Sequence, residues 1–144
     1  MKKAIFAGML LMAIQFAGNA QNTTDLAKIS EVVHTFSTAG DKQDASLLET
    51  VLHPQFRAVV HRFMGAPDVS LMDRANFLQL LRDKKIGGDK REVHILHTEI
   101  TNNIATVKAI LEGKALRFTN YISLVKLEDG SWQIVGDMPD VEKL

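Results

Sequence analysis

Residues 91–138 read REVHILHTEITNNIATVKAILEGKALRFTNYISLVKLEDGSWQIVGDM. Their hydrophobic period is close to two, which places successive side chains on opposite faces of a strand. The alternation predicts strands at 91–101, 104–112, 116–127 and 132–138. Asn102-Asn103, Glu112-Gly113-Lys114 and Glu128-Asp129-Gly130-Ser131 supply turn residues between them. Long strands joined by such short connections can only run antiparallel, because a parallel return needs a crossover of a dozen or more residues.

Upstream of Arg91 the period is helical. Leu26, Ile29, Val33 and Phe36 recur at helix spacing up to Gly40, with Asn22, Thr23 and Thr24 as caps and Asp25 as a first-turn acid. Asp44 is placed to cap a shorter helix carrying Leu47, Leu48, Val51 and Leu52, which Pro54 stops. Phe56–Phe63 reads as a strand and Gly65–Asp68 as a turn. A third helix starts near Asp73 with Phe77, Leu80, Leu81 and Lys84 on one side, and Gly87-Gly88 ends it. Helices gathered first and strands last define an α+β domain rather than an alternating parallel one.

The first twenty residues stand apart. Lys2 and Lys3 precede an apolar run from Ala4 to Phe16, and Ala17-Gly18-Asn19-Ala20 offers small residues for cleavage before Gln21. The pattern predicts a bacterial export signal at 1–20 and a single domain at 21–144, located in the periplasm or secreted. The apolar run is shorter than the roughly 20 residues a spanning helix needs, so no membrane association is expected once it is removed.

The 144-residue chain has 17 basic and 17 acidic residues. Removing 1–20 takes away two lysines and no acid, leaving 15 basic residues against 17 acidic. That balance argues against a dedicated nucleic-acid binder. The absence of cysteine excludes disulfides and thiol chemistry, so an exported domain of this sequence depends on its core.

FTNYISLVKLEDGSWQIV at 118–135 resembles the C-terminal hairpin of the nuclear transport factor 2-like (NTF2-like) superfamily. Within it the chain is similar to small exported bacterial proteins of SnoaL-like and lumazine-binding-like type. HPQFRAVVHRFMGAPDVSLMDRANFLQLLRDKKIGGDKR at 53–91 resembles the corresponding middle segment, so the likeness covers nearly all of 21–144. The resemblance implies a curved antiparallel sheet wrapped around three helices into a cone, an apolar pocket at its mouth, and a homodimer formed through the sheet. The superfamily contains isomerases, dehydratases, cyclases, transport factors and binders, so the fold leaves the function open.

Strand parity selects the candidate site. Leu116, Phe118, Asn120, Ile122 and Leu124 share one face, taken as the core side, and Arg117, Thr119, Tyr121 and Ser123 share the other. Asn120 is thus one amide in an apolar row: it pairs internally or points at a ligand. His61 and Arg62 alternate, and parity does not choose between them. Isomerase-type relatives carry a carboxylate near the end of this strand. Phe56–Met64 has none, leaving His61 as the candidate general base. Asp137, at the end of the last predicted strand, is the second catalytic candidate, placed to orient His61 or bind a hydroxyl. Phe63, Met64, Phe118 and Trp132 complete the expected wall, with Trp132 chiefly a core residue.

His94 and His97 lie three apart, which on a regular strand sends their rings to opposite faces, so no metal site is expected. No cofactor is expected either. Arg82, Lys84, Lys85, Lys90 and Arg91 read as a solvated basic helix end without the interleaved aromatics of a nucleic-acid platform. The leading expectation is an exported, non-catalytic binder of a small apolar or aromatic molecule. Its alternatives are an isomerase- or dehydratase-type enzyme using His61, and a dimeric interaction module presenting Tyr121 and Ser123.

Overall fold

The computed structural model describes residues 2–144, with side chains described from Ala20 onward. Helix α1 spans Lys2–Lys42, α2 Ala45–Val51 and α3 Arg74–Arg82. The strands are β1 Leu52–His61, β2 Val69–Asp73, β3 Glu92–Thr101, β4 Ile104–Glu112, β5 Leu116–Lys126 and β6 Trp132–Lys143. They form one sheet in the order β2-β1-β6-β5-β4-β3. The result is an α+β architecture of three helices on a curved, unclosed sheet.

The meander β3–β6 is antiparallel throughout, as the short turns require. β1 instead lies parallel to β6, which makes the sheet mixed. The intervening β2, α3 and meander supply the long crossover that a parallel neighbour demands. Val69–Asp73 is a strand where the sequence predicted only a connection. It pairs antiparallel with the outer half of β1, from Arg57↔Asp73 to His61↔Val69.

Helix α1 buries Ile29, Val33, Phe36 and Ala39 against the sheet. The expected first member of that stripe, Leu26, is 44% exposed, and Asp25 is buried in its place. The caps predicted at 22–24 fall inside the helix, where the Thr24 hydroxyl donates to the carbonyl of Ala20 at 3.0 Å. The side chains of the predicted export segment lie outside the described residues except for Ala20. Among the described residues, no helix is long and apolar enough to cross a membrane.

Asp44 caps α2 by accepting from the Leu47 N–H at 2.9 Å. The helix yields directly to β1, so Leu52 and Pro54 are strand residues. Asp73 caps α3 in the same way through Asn76 N at 2.8 Å. α3 ends at Arg82, before Gly87-Gly88, with Lys84 in the left-handed region at φ 56°. Gly87 answers a different need. At φ +75° it passes so close to Gly40 that a Cβ would lie 2.2 Å from that residue's carbonyl oxygen, while Gly88 N donates to the same oxygen at 3.0 Å. Phe77 bridges the layers, stacked on Phe36 with centroids 6.2 Å apart and tilted on Phe56 at 5.3 Å.

Candidate functional site

Parity holds along β5, where Asn120, Ile122 and Leu124 are buried and Tyr121 and Ser123 exposed. β6 begins in the same fashion, burying Trp132 and Ile134. Uninterrupted, that phase would bury Gly136 and Met138 and expose Asp137. The pairing instead steps from Leu124↔Ile134 to Ser123↔Gly136, so Val135 is an extra residue, a β-bulge. A bulge re-aims every side chain beyond it. Asp137 therefore turns inward at 5% exposure, while Met138 turns out at 54%. Nor is Asp137 at a strand end, since β6 continues to Lys143 and Asp137 sits between Ile122 on β5 and Ala58 on β1.

Asn120, opposite Pro139, is then a diagonal neighbour of Asp137 on the buried face. Its Nδ2 donates to Asp137 Oδ1 at 2.8 Å and to Oδ2 at 3.0 Å. The amide's Oδ1 is buried without a hydrogen-bond partner. Across the interior, the α1 hydroxyl Ser37 Oγ is also buried and unpartnered. Arg91 connects the two sides: its Nη2 donates to the Ser37 carbonyl at 3.0 Å, and its guanidinium lies 5.4 Å from the centroid of the Phe118 ring. Phe118 is two residues from Asn120 on the same strand face.

Arg91 is not part of a solvated basic patch. Its Nε meets Asp41 Oδ1 at 2.6 Å, its backbone N–H meets Oδ2 at 3.0 Å, and both side chains are largely buried. The guanidinium is thereby neutralised locally. Burial pushes the Asp137 carboxyl up to about 7, against the lowering effects of the Asn120 amide and the Arg91 charge. A carboxyl at this value can hold its proton near neutrality, or release it.

The other predicted residues fall elsewhere. β1 buries Phe56, Ala58 and Val60, so His61 points to the opposite, exposed side and does not join Asn120 and Asp137. Met64, at φ 50° in the turn Phe63–Gly65, is 72% exposed and lines no interior wall. Phe63 is half-buried against the core. Trp132 is buried, and its indole N–H donates to Asp25 Oδ1 at 3.1 Å. Lys126 Nζ reaches Asp25 Oδ2 at 2.9 Å, so Asp25 ties α1 to the β5–β6 hairpin. Burial alone would raise the Asp25 pKa. Hydrogen bonds from Lys126, Trp132 and Gln21 outweigh it and hold the carboxyl below its ordinary value.

A second bulge overturns the parity argument for the histidines. Leu96 is extra between Ile95↔Ala109 and His97↔Lys108, so His94 and His97 both lie on the exposed face of β3. Among the described residues, no group of three or more His, Asp or Glu side chains is arranged to hold a metal ion. The group that sequence reasoning missed is Ser37, Asp41 and Arg91. No local motif marks it, because its members come together only when the end of α1 meets the start of β3.

Three helices on a curved sheet of this order define an NTF2-like, cystatin-like fold. An NTF-2-like protein of unknown function from Silicibacter pomeroyi superposes with a TM-score of 0.73 at 20% identity, over 84% of this chain and 98% of that one. An NTF2-like protein of unknown function from Shewanella baltica gives 0.73 at 16%, over 83% and 95%. A ketosteroid isomerase-like protein from Erwinia carotovora atroseptica gives 0.68 at 16%, over 81% and 95%. At these identities the likeness establishes the fold alone. Residues 24–138 match the family described as "Putative lumazine-binding", and the chain belongs to that family within the NTF2-like superfamily. A comparison with curated proteins found no match.

Proposed function

We propose that the protein is exported to the periplasm or secreted and binds a small, largely apolar or aromatic molecule between its helices and the buried face of its sheet. One observation carries this reading. Two polar atoms, Asn120 Oδ1 on β5 and Ser37 Oγ on α1, are buried without partners in a largely apolar interior. Such groups are costly unless something satisfies them, and a few polar points in an apolar setting are the usual makings of a ligand site. Membership of a family described as lumazine-binding agrees with it. Phe118, Asn120 and Asp137 are the residues assigned to the site, with Ser37 and Arg91 opposite. His61, Met64 and Trp132 are not.

Native mass spectrometry of protein recovered from the exported fraction tests the proposal. The expected result is a polypeptide starting at Gln21 that releases a small molecule on denaturation. A protein that carries no added mass, and whose residues around Asn120 show no NMR shift changes with aromatic amides, phenols or ketones, would refute the binding reading.

A second reading, an acid–base enzyme of isomerase or dehydratase type, is favoured by the Asp137 carboxyl. Its raised pKa of about 7 suits proton transfer near neutrality, and Asp137 takes the place of His61 in that reading. Loss of solvent-deuterium exchange into a bound ketone in Asp137→Asn would support it, and unchanged exchange would remove it. The outer face supports a homodimer or protein-contact surface. There Lys108, Tyr121 and Met138 are aligned across β4, β5 and β6, with exposed Ile104 and Leu96 on the same side.

A further inference from the structure

The interior is selective in the kind of hydrogen bond it leaves open. Asn120 turns its Nδ2 toward Asp137, and its Oδ1 is left as an acceptor without a partner, at 2% residue exposure. Ser37, at 1% exposure, has a hydroxyl able to donate or accept. Among the described residues, the cation linked to this group is Arg91, and it is occupied by Asp41 and the Ser37 carbonyl. An anionic ligand would therefore find no free positive charge there, and would also face the Asp137 carboxyl. A ligand bearing only acceptors, such as a simple ketone, would leave Asn120 Oδ1 unpaired.

We infer that the bound molecule is a neutral ring compound that presents an N–H or O–H donor to Asn120 Oδ1. Lactams, cyclic imides and phenols belong to this class; carboxylates and donor-free ketones or lactones do not. The inference rests on the small-molecule reading above and specifies which molecules that site accepts. Phe118, held beneath the Arg91 guanidinium, offers the apolar surface against which such a ring packs.

The discrimination follows from the asymmetry of hydrogen bonding. A site built around a buried acceptor gains a bond from a donor-bearing ligand, and burying that acceptor against an ether oxygen gains nothing and adds repulsion. The test uses isosteric pairs, with affinities measured by protein-detected NMR titration of the wild-type protein. 2-Quinolinone is compared with coumarin, which replaces the ring N–H by oxygen, and 1-naphthol with 1-methoxynaphthalene. The expected result is at least about a tenfold preference for the donor-bearing member of each pair. Shift changes should centre on the Asn120 side-chain amide, and the preference should collapse toward unity in Asn120→Leu. If that variant fails to fold, the wild-type preference together with the site of the shift changes decides the matter.

Equal affinity within both pairs would overturn the inference while leaving the small-molecule reading standing. A preference that persists undiminished in folded Asn120→Leu would overturn it as well. If none of the four compounds binds, the inference falls together with the reading beneath it, an outcome that equal binding cannot be mistaken for.

Discussion

Replacing Asp137 by asparagine removes a titrating proton from the interior while keeping the shape of the side chain and an acceptor for Asn120 Nδ2. In the folded protein burial pushes the Asp137 carboxyl up to about 7. In the unfolded chain it returns to about 3.9, a gap of about three pH units. Between these values the folded form holds a proton that the unfolded form has released, so stability falls as the pH rises. The contribution of Asp137 is fully present below about pH 4 and lost as the pH passes through 7. At 1.36 kcal/mol per pH unit the whole span is about 4 kcal/mol, of which more than half falls between pH 5 and pH 8. The amide in the Asp137→Asn variant does not titrate, so the difference between wild type and variant isolates this one group. Urea unfolding followed by the fluorescence of Trp132, the single tryptophan and a buried one, measures it. The variant should gain on the wild type by roughly 2 to 3 kcal/mol from pH 5 to pH 8. A difference that stays constant over that range, or changes in the opposite sense, would refute the assignment of Asp137 as a buried, proton-holding carboxyl.

Asp25→Ala strands the Lys126 ammonium and the Trp132 indole, and should cost about 3 kcal/mol in urea unfolding at pH 7. Because hydrogen bonds hold the Asp25 carboxyl low, its stabilisation is present above the unfolded pKa, and the wild-type advantage should shrink as the pH falls through the acid range. Gly87→Ala forces a Cβ onto the Gly40 carbonyl at a positive φ, and should lower stability by about 2 kcal/mol or more, read as a lower urea midpoint. His61→Ala and Met64→Ala should each change stability by less than about 0.5 kcal/mol and leave small-molecule affinity unchanged in NMR titration. For the homodimer proposed through the outer sheet face, Tyr121→Asp should give a monomer in native mass spectra without altering the unfolding midpoint of that monomer.

The meander is legible because its period-two pattern and three short turns allow one topology, and the predicted bounds of β4 coincide with the observed ones. Asn120 stands out for the same reason, as a polar residue in phase with buried apolar neighbours. Asp137 and the His94–His97 pair escape the parity rule through a shared cause. A bulge shifts the phase by one residue, and neither Val135 nor Leu96 differs in type from an ordinary strand residue. β2 is hidden because Val69–Asp73 is a short edge strand with one buried residue, Met72, too little to generate a pattern. Asp25 has the local look of a first-turn acid, whereas it is a buried anchor whose partners Lys126 and Trp132 lie about a hundred residues away, beyond the reach of any local rule.

The bulge at Val135 also means that the buried carboxyl is specified by chain length as much as by composition. Many side chains at position 135 would serve, since the residue's contribution is to occupy one place in the count. Deleting it would keep every other residue named at the site, yet would tend to send Asp137 to solvent and draw Met138 toward the interior. A sequence comparison that scores residues column by column would judge such a chain intact. Its interior would have exchanged a proton-bearing group for a thioether.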